Sequence, residues 1–194
     1  IIPLLPFYAE TFGASPQKVT MLMVVFSLSQ FVAAPIWGGL SDKYGRRLII
    51  WITLAGSILA YIFLAYSNTL YGLFMARAFA GFMAGNISTA QAYLTDITSK
   101  ENRAKVMGFF GAAFGIGFIL GPAIGGILAG SDPKNPNTFL PPIFAATLSA
   151  VALLLALFLL KDTRVLIKPN KNKRITSLLE ALKVENLSKL ILLS

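Results

Sequence analysis

The sequence has no cysteine and no histidine. Their absence excludes disulfides, thiol chemistry and the common zinc sites, so no metal is expected. Charge is also scarce. Only 13% of the 194 residues are charged, with 8 acidic against 17 basic side chains. A water-soluble domain of this length needs more charge to cover its surface. There is no leader pattern: the chain opens at Ile1 in apolar sequence, without a basic stretch or an initiator Met, and reads as truncated at its start. No nucleophile–base pair and no phosphate loop can be found, so neither an enzyme nor a cofactor is expected.

What fills the chain instead is apolar sequence, 56% by residue type, gathered into long blocks. Residues 1–8 read as the end of a first helix. Further blocks cover 19–40, 48–66, 69–94, 106–129 and 139–160. A block of about 20 apolar residues, coiled as a helix, matches the hydrocarbon thickness of a bilayer. The expected fold is therefore an all-α membrane protein with a six-helix unit over 1–160. A basic linker over 161–186 follows, in which Ile175, Leu178, Leu179 and Leu182 recur at the spacing of a surface-lying amphipathic helix. Residues 187–194 look like the entry to a seventh span, so truncation is expected at this end too.

The net charge of +9 raises nucleic acid as a partner, but its distribution argues against that. Basic residues cluster between apolar blocks, and they alternate. Lys43, Arg46 and Arg47 follow the second block. Lys100, Arg103 and Lys105 follow the fourth, and Lys161, Arg164, Lys168, Lys171, Lys173 and Arg174 follow the sixth. The other loops hold only Lys18 and Lys134. Positive charge stays on the cytoplasmic side, so the second, fourth and sixth blocks should end in the cytoplasm of a multi-pass plasma (inner) membrane protein.

Five sequence features carry functional weight. The loop 38–47, GGLSDKYGRR, has glycines suited to a sharp turn (Gly39, Gly45) and Asp42 four residues before Arg46, the spacing of a local ion pair. A basic loop that only fixes topology is the plainer alternative. Arg77 lies well inside the fourth block, where a guanidinium is costly and needs a partner or water. On one continuous helix Gly81, Ala84, Ser88 and Gln91 fall within about 40° of it, with Asn86 opposite; Arg77 would then line an aqueous cavity, or snorkel to the surface. In the fifth block Gly111 and Gly115, then Gly117, Gly121 and Gly125, recur every four residues as ridges for close helix packing, and Pro122 permits a bend. Asp96 ends the fourth block, either facing Arg46 or capping the next helix. Gln30 sits in the middle of the second block, as a cavity residue or an interhelical hydrogen bond. In addition, Pro35 with Gly38 and Gly39 matches Pro122 with Gly125 and Gly126, the trace that a 3+3 inverted repeat would leave.

The pattern G-x-L-S-D-K-x-G-R-R between two apolar blocks resembles the signature of the major facilitator superfamily, where it joins helices two and three on the cytoplasmic side. Leu73, Arg77 and Gly81 resemble the family's fourth-helix motif, tied to proton coupling in antiporters. Gly117, Gly121, Pro122, Gly125 and Gly126 resemble the fifth-helix motif of its drug:proton antiporters. Residues 12–15, 30–35, 92–98 and 111–126 are closest to the tetracycline-antiporter-like branch.

The resemblance implies an N-terminal six-helix half whose partner is the C-terminal half of the same transporter. The whole would export a small amphipathic compound in exchange for protons by alternating access. Its further partners would be the lipid bilayer, the substrate and protons. Gly38, Asp42, Gly45, Arg46, Arg47 and Asp96 would form a gate latch, Arg77 would couple protons, and Gln30, Ser88 and Gln91 would be cavity candidates. Tetracycline exporters carry an acid in helix three where this chain has Ala60, which counts against tetracycline as the substrate. Uptake of a sugar or metabolite, or a transport-inactive receptor on the same fold, are the alternatives.

Overall fold

The computed structural model describes residue 8 and residues 13–130, 132 and 136–161. The chain divides into a unit Ile1–Arg164 and a unit Val165–Ser194. The expected amphipathic helix at 175–186 and the seventh span at 187–194 lie outside the described residues, as does nearly all of the first helix.

Among the described residues all regular structure is helical. Six helices follow one another: α1 Pro16–Tyr44, α2 Arg46–Ala65, α3 Leu70–Ala84, α4 Ile87–Ile97, α5 Arg103–Ala129 and α6 Leu140–Leu159. Helix α1 starts with Pro16, whose missing N–H is harmless in a first turn, and the Ser15 carbonyl accepts from Lys18 and Val19. Thr69 caps α3, its Oγ1 accepting from the Gly72 N–H at 3.1 Å. The Asn137 side chain accepts from the N–H groups of Phe139 and Leu140 at the start of α6.

Two expectations need correcting. Residues 38–47 are not a loop. Positions 38–44 continue α1, and the reversal into α2 is made by Gly45 alone, at φ 97°. Small and charged residues read as loop in sequence, but their backbone is helical until the one residue with a conformation that glycine favours. Gly39 lies inside α1 and makes no turn. The fourth block, in turn, is not one helix but two. Its 15-residue first part reaches only about 22 Å at 1.5 Å per residue, so α3 and α4 must act together to span a bilayer.

Four helical segments, Pro16–Tyr44, Arg46–Ala65, Lys100–Ala129 and Leu140–Leu159, are each long and apolar enough to cross a membrane. Their outer surfaces are themselves apolar: Phe158, Ile127, Ile119 and Phe31 are all at least 74% exposed. Such surface would be an association hazard in water and is the ordinary outer face of a protein solvated by lipid. The interior is small and built in layers. Leu22, Leu64, Leu73 and Ala76 join α1, α2 and α3 at one end. Ala33, Trp37 and Ile49 follow, and Ile50, Tyr93 and Ala156 tie α2, α4 and α6 together near the other end.

Candidate functional site

Three groups of side chains stand out, and they occupy one broken span and its neighbours. The first surrounds Arg46. As the opening residue of α2, it places positive charge where the helix dipole is already positive. Carboxylates offset this. Arg46 Nη1 meets Asp42 Oδ1 at 2.7 Å, one turn back on α1, and Nε donates to Asp96 Oδ2 at 3.2 Å from α4. The guanidinium also donates to Ser41 Oγ, which in turn donates to the Gly38 carbonyl at 2.8 Å. The arginine is nearly buried (12% exposed) and Asp96 half-buried (24%), so the pair is less screened than one on an open surface. Asp96 lies within α4 and is not a helix cap; the Lys100–Asn102 turn starts after Ser99. In a double-mutant cycle of Arg46→Gln and Asp96→Asn, read by thermal unfolding, the coupling is expected to be about 1 kcal/mol.

Arg47 does not join this group. Its guanidinium lies over the Trp51 ring at 4.2 Å and Nη2 donates to the Leu157 carbonyl at 3.2 Å, capping the end of α6. Consecutive helical residues point about 100° apart, so two adjacent arginines cannot serve one cluster. Close by, the Tyr93 hydroxyl accepts from the Lys161 N–H at 2.9 Å. Gly38 gives the cluster a carbonyl rather than room: a Cβ there would meet nothing within 4 Å.

The second group is Arg77, which is only 4% exposed on α3. It neither snorkels nor lies on an open cavity wall. Its guanidinium carbon lies over the Phe26 ring, 5.9 Å from the centroid, and Nε and Nη2 are buried without a hydrogen-bond partner among the described residues. Ser88 and Gln91 are exposed on α4, beyond the break, so the single polar face expected on one continuous helix is split.

The third group is the break itself, at Gly85 and Asn86. Sequence spacing showed Asn86 as the odd residue on the wheel and left its role open. Its Nδ2 donates to Thr53 Oγ1 on α2 at 2.6 Å. Gln30 makes an interhelical bond, Nε2 to the Ala84 carbonyl at 3.4 Å, and Trp37 Nε1 donates to the Phe82 carbonyl at 2.7 Å. A Cβ on Gly85 would fall 2.7 Å from Ala33 Cβ, and one on Gly81 would overlap the Phe26 backbone. The two glycines, four residues apart, thus admit the α1 backbone. A Gly-Asn pair inside an apolar block was the available turn signal.

The α5 glycines behave oppositely. A Cβ on Gly111, Gly115, Gly117, Gly121 or Gly126 would meet nothing within 4 Å. The expected packing ridge is not engaged among the described residues. Gly117, Gly121 and Gly125 instead line an apolar groove of about 310 Å³ shared with Pro141 and Phe144 of α6. No group of His, Cys, Asp and Glu able to hold a metal occurs among the described residues.

The sequence pattern of the Major Facilitator Superfamily matches residues 1–193. The chain belongs to this superfamily. Among curated relatives, the class H tetracycline resistance protein of Pasteurella multocida is 34% identical over 167 residues, covering 84% of this chain and 40% of the relative. Quinolone resistance protein NorA of Staphylococcus aureus is 31% identical over 165 residues, covering 84% and 41%. Among solved structures, the human organic anion transporter MFSD10 (TETRAN) aligns at a TM-score of 0.63 with 28% identity, over 84% of this chain and 38% of that one. This major facilitator chain therefore spans about two fifths of the length of the relatives it matches. It is a multi-pass, all-α chain of this superfamily, similar over most of its length to drug resistance proteins.

Proposed function

We propose that the intact transporter exports a small amphipathic compound across the inner membrane in exchange for protons, this half rocking against a second by alternating access. The observation that carries the reading is Arg77. A permanently charged group buried in a span, with two of its nitrogens unpartnered among the described residues, is expensive to keep for structure alone. It suits a site where a proton or an acidic group comes and goes. The relatives, named for tetracycline resistance, quinolone resistance and organic anion transport, support a small amphipathic cargo without fixing which.

In this reading the end of the bundle at Gly45 faces the cytoplasm, because Lys43, Arg46, Arg47, Lys100, Arg103 and Lys105 all flank it. Asp42, Arg46 and Asp96 form the gate latch, and Arg47 fastens α6 beside it. Ser88 and Gln91, exposed on α4, are the cavity candidates, and Gln30 passes to a structural role. Gly117, Gly121, Pro122, Gly125 and Gly126 on α5 argue for export over uptake.

Everted vesicles bearing the intact transporter supply the test. With the lumen acidified, adding a transported drug outside is expected to release luminal protons, read as dequenching of a pH-sensitive dye. Silence across a broad panel of cationic, neutral and anionic drugs would overturn the export reading.

A further inference from the structure

The break between α3 and α4 is held in place by side chains of other helices. Normally the Phe82 carbonyl would accept from the N–H of residue 86, four residues on. Here it takes a weak bond from the Gly85 N–H at 3.4 Å, and the next regular turn begins only with Ala90 N–H to the Asn86 carbonyl at 3.0 Å. Carbonyls released inside a membrane need new donors, since no lipid supplies one. Two donors come from α1. Trp37 Nε1 reaches the Phe82 carbonyl, with its ring edge-on to the Phe82 ring at a centroid distance of 5.4 Å, and Gln30 Nε2 reaches the Ala84 carbonyl. Gln30 and Trp37 are seven residues apart, two turns, and so share one face of α1. On the other side Asn86 is tied to Thr53, whose hydroxyl already donates into its own helix at the Ile49 carbonyl, 2.8 Å away.

Helix α1 has its own weak point at the same level. Pro35 lies inside it and has no N–H, so the Phe31 carbonyl loses its helical donor. The residues just before Pro35, Ala33 and Ala34, are the ones whose atoms stand 2.7–2.9 Å from a Cβ placed on Gly85. Two interrupted helices therefore meet backbone to backbone at their interruptions.

We propose that Gln30, Trp37 and Asn86 are positioning residues. They clamp a joint at Gly85–Asn86 that sets the angle between the half-span carrying Arg77 and the half-span carrying Asp96. The functional part of this inference rests on the reading of Arg77 as coupling group and Arg46–Asp96 as latch. Seven residues separate Arg77 from Gly85 and nine separate Asn86 from Asp96, so the joint lies near the middle of the stretch between the two charged sites. A change at Arg77 reaches Asp96 through the clamp as a change in bend, without any contact between them.

The test uses the intact transporter with spin labels at Tyr71 on α3 and Ile97 on α4, both at exposed positions, and pulsed dipolar spectroscopy of the distance between them. Trp37→Phe removes the indole N–H and keeps a ring against Phe82. Combined with Gln30→Leu, it is expected to shift and broaden the distance distribution. Asn86→Ala should do likewise, and Asn86→Gln, which can still donate to Thr53, should restore it. In transport assays kcat should fall about tenfold with KM little changed, as when a bond made unequally in two states is deleted. An unchanged distribution in the Trp37→Phe/Gln30→Leu protein would overturn the joint, whether or not stability or transport falls. A shifted distribution in a protein that exchanges no protons would leave the joint standing and overturn the coupling reading instead.

Discussion

Arg77→Leu in the intact transporter is expected to abolish proton-linked transport and, at the same time, to raise the melting temperature. Most substitutions of a buried arginine destabilise, because they orphan a carboxylate. Here the guanidinium makes no ion pair with any described residue, and Nε and Nη2 have no hydrogen-bond partner among them. Replacing a desolvated ion by a well-packed apolar side chain is neutral or stabilising by about 1–4 kcal/mol. The site suits leucine: Leu22, Leu73 and Ala76, with Tyr61 and Phe74, already form an apolar cluster on the helices around it. Arg77→Lys should behave differently, keeping the charge but losing the planar group that faces Phe26. The measurements are dye dequenching in everted vesicles and thermal unfolding in detergent. A leucine variant that still exchanges drug for protons would sink the coupling role. One that unfolds far more easily would show that the arginine has a strong ionic partner and is held for structure.

Glycine-to-alanine substitutions should divide sharply by helix. Gly81→Ala on α3 is expected to destabilise by about 1–3 kcal/mol, because the new methyl overlaps the backbone of Phe26, not a movable side chain. Helix α1 would have to retreat, taking Gln30 and Trp37 from the carbonyls they satisfy. Gly117→Ala on α5 adds the same methyl where nothing lies within 4 Å, and should gain stability from helix propensity, up to about 1 kcal/mol. Thermal unfolding of the two variants of this chain checks the contrast. Equal effects would mean that α1 is free to move away from α3, and the close approach would carry no energy.

That contrast also shows where sequence reading stops. Glycines four residues apart occur both at Gly81 and Gly85 and along α5, and spacing alone cannot tell a ridge pressed against a neighbour from one facing open space. Hydropathy located the spans well, since apolar length is a local property. It ran straight through Gly85 and Asn86, because a broken helix in a membrane stays apolar as long as other helices supply its hydrogen bonds. Those donors, Gln30 and Trp37, lie 45 or more residues away in the chain. The meeting of Arg46 and Asp96, 50 positions apart, was legible as one of two options from the topology that brings both to the same end of the bundle, and the family resemblance favoured it. Arg47 was misplaced for a simpler reason: a run of two arginines looks like one basic motif, but a helix turns them onto different neighbours.

The α5 glycines that meet no neighbour among the described residues have a mechanical consequence. Side chains that interlock, as Trp37 and Phe82 do, must change rotamer before one helix can slide along another. From Gly111 to Gly126 the accessible glycine positions offer backbone alone. A surface laid on those glycines would have only the rings of Phe114 and Phe118, exposed on the same side, to disengage as it travelled. The helix is shaped as a bearing, whereas α1 and α3 are shaped as a clasp.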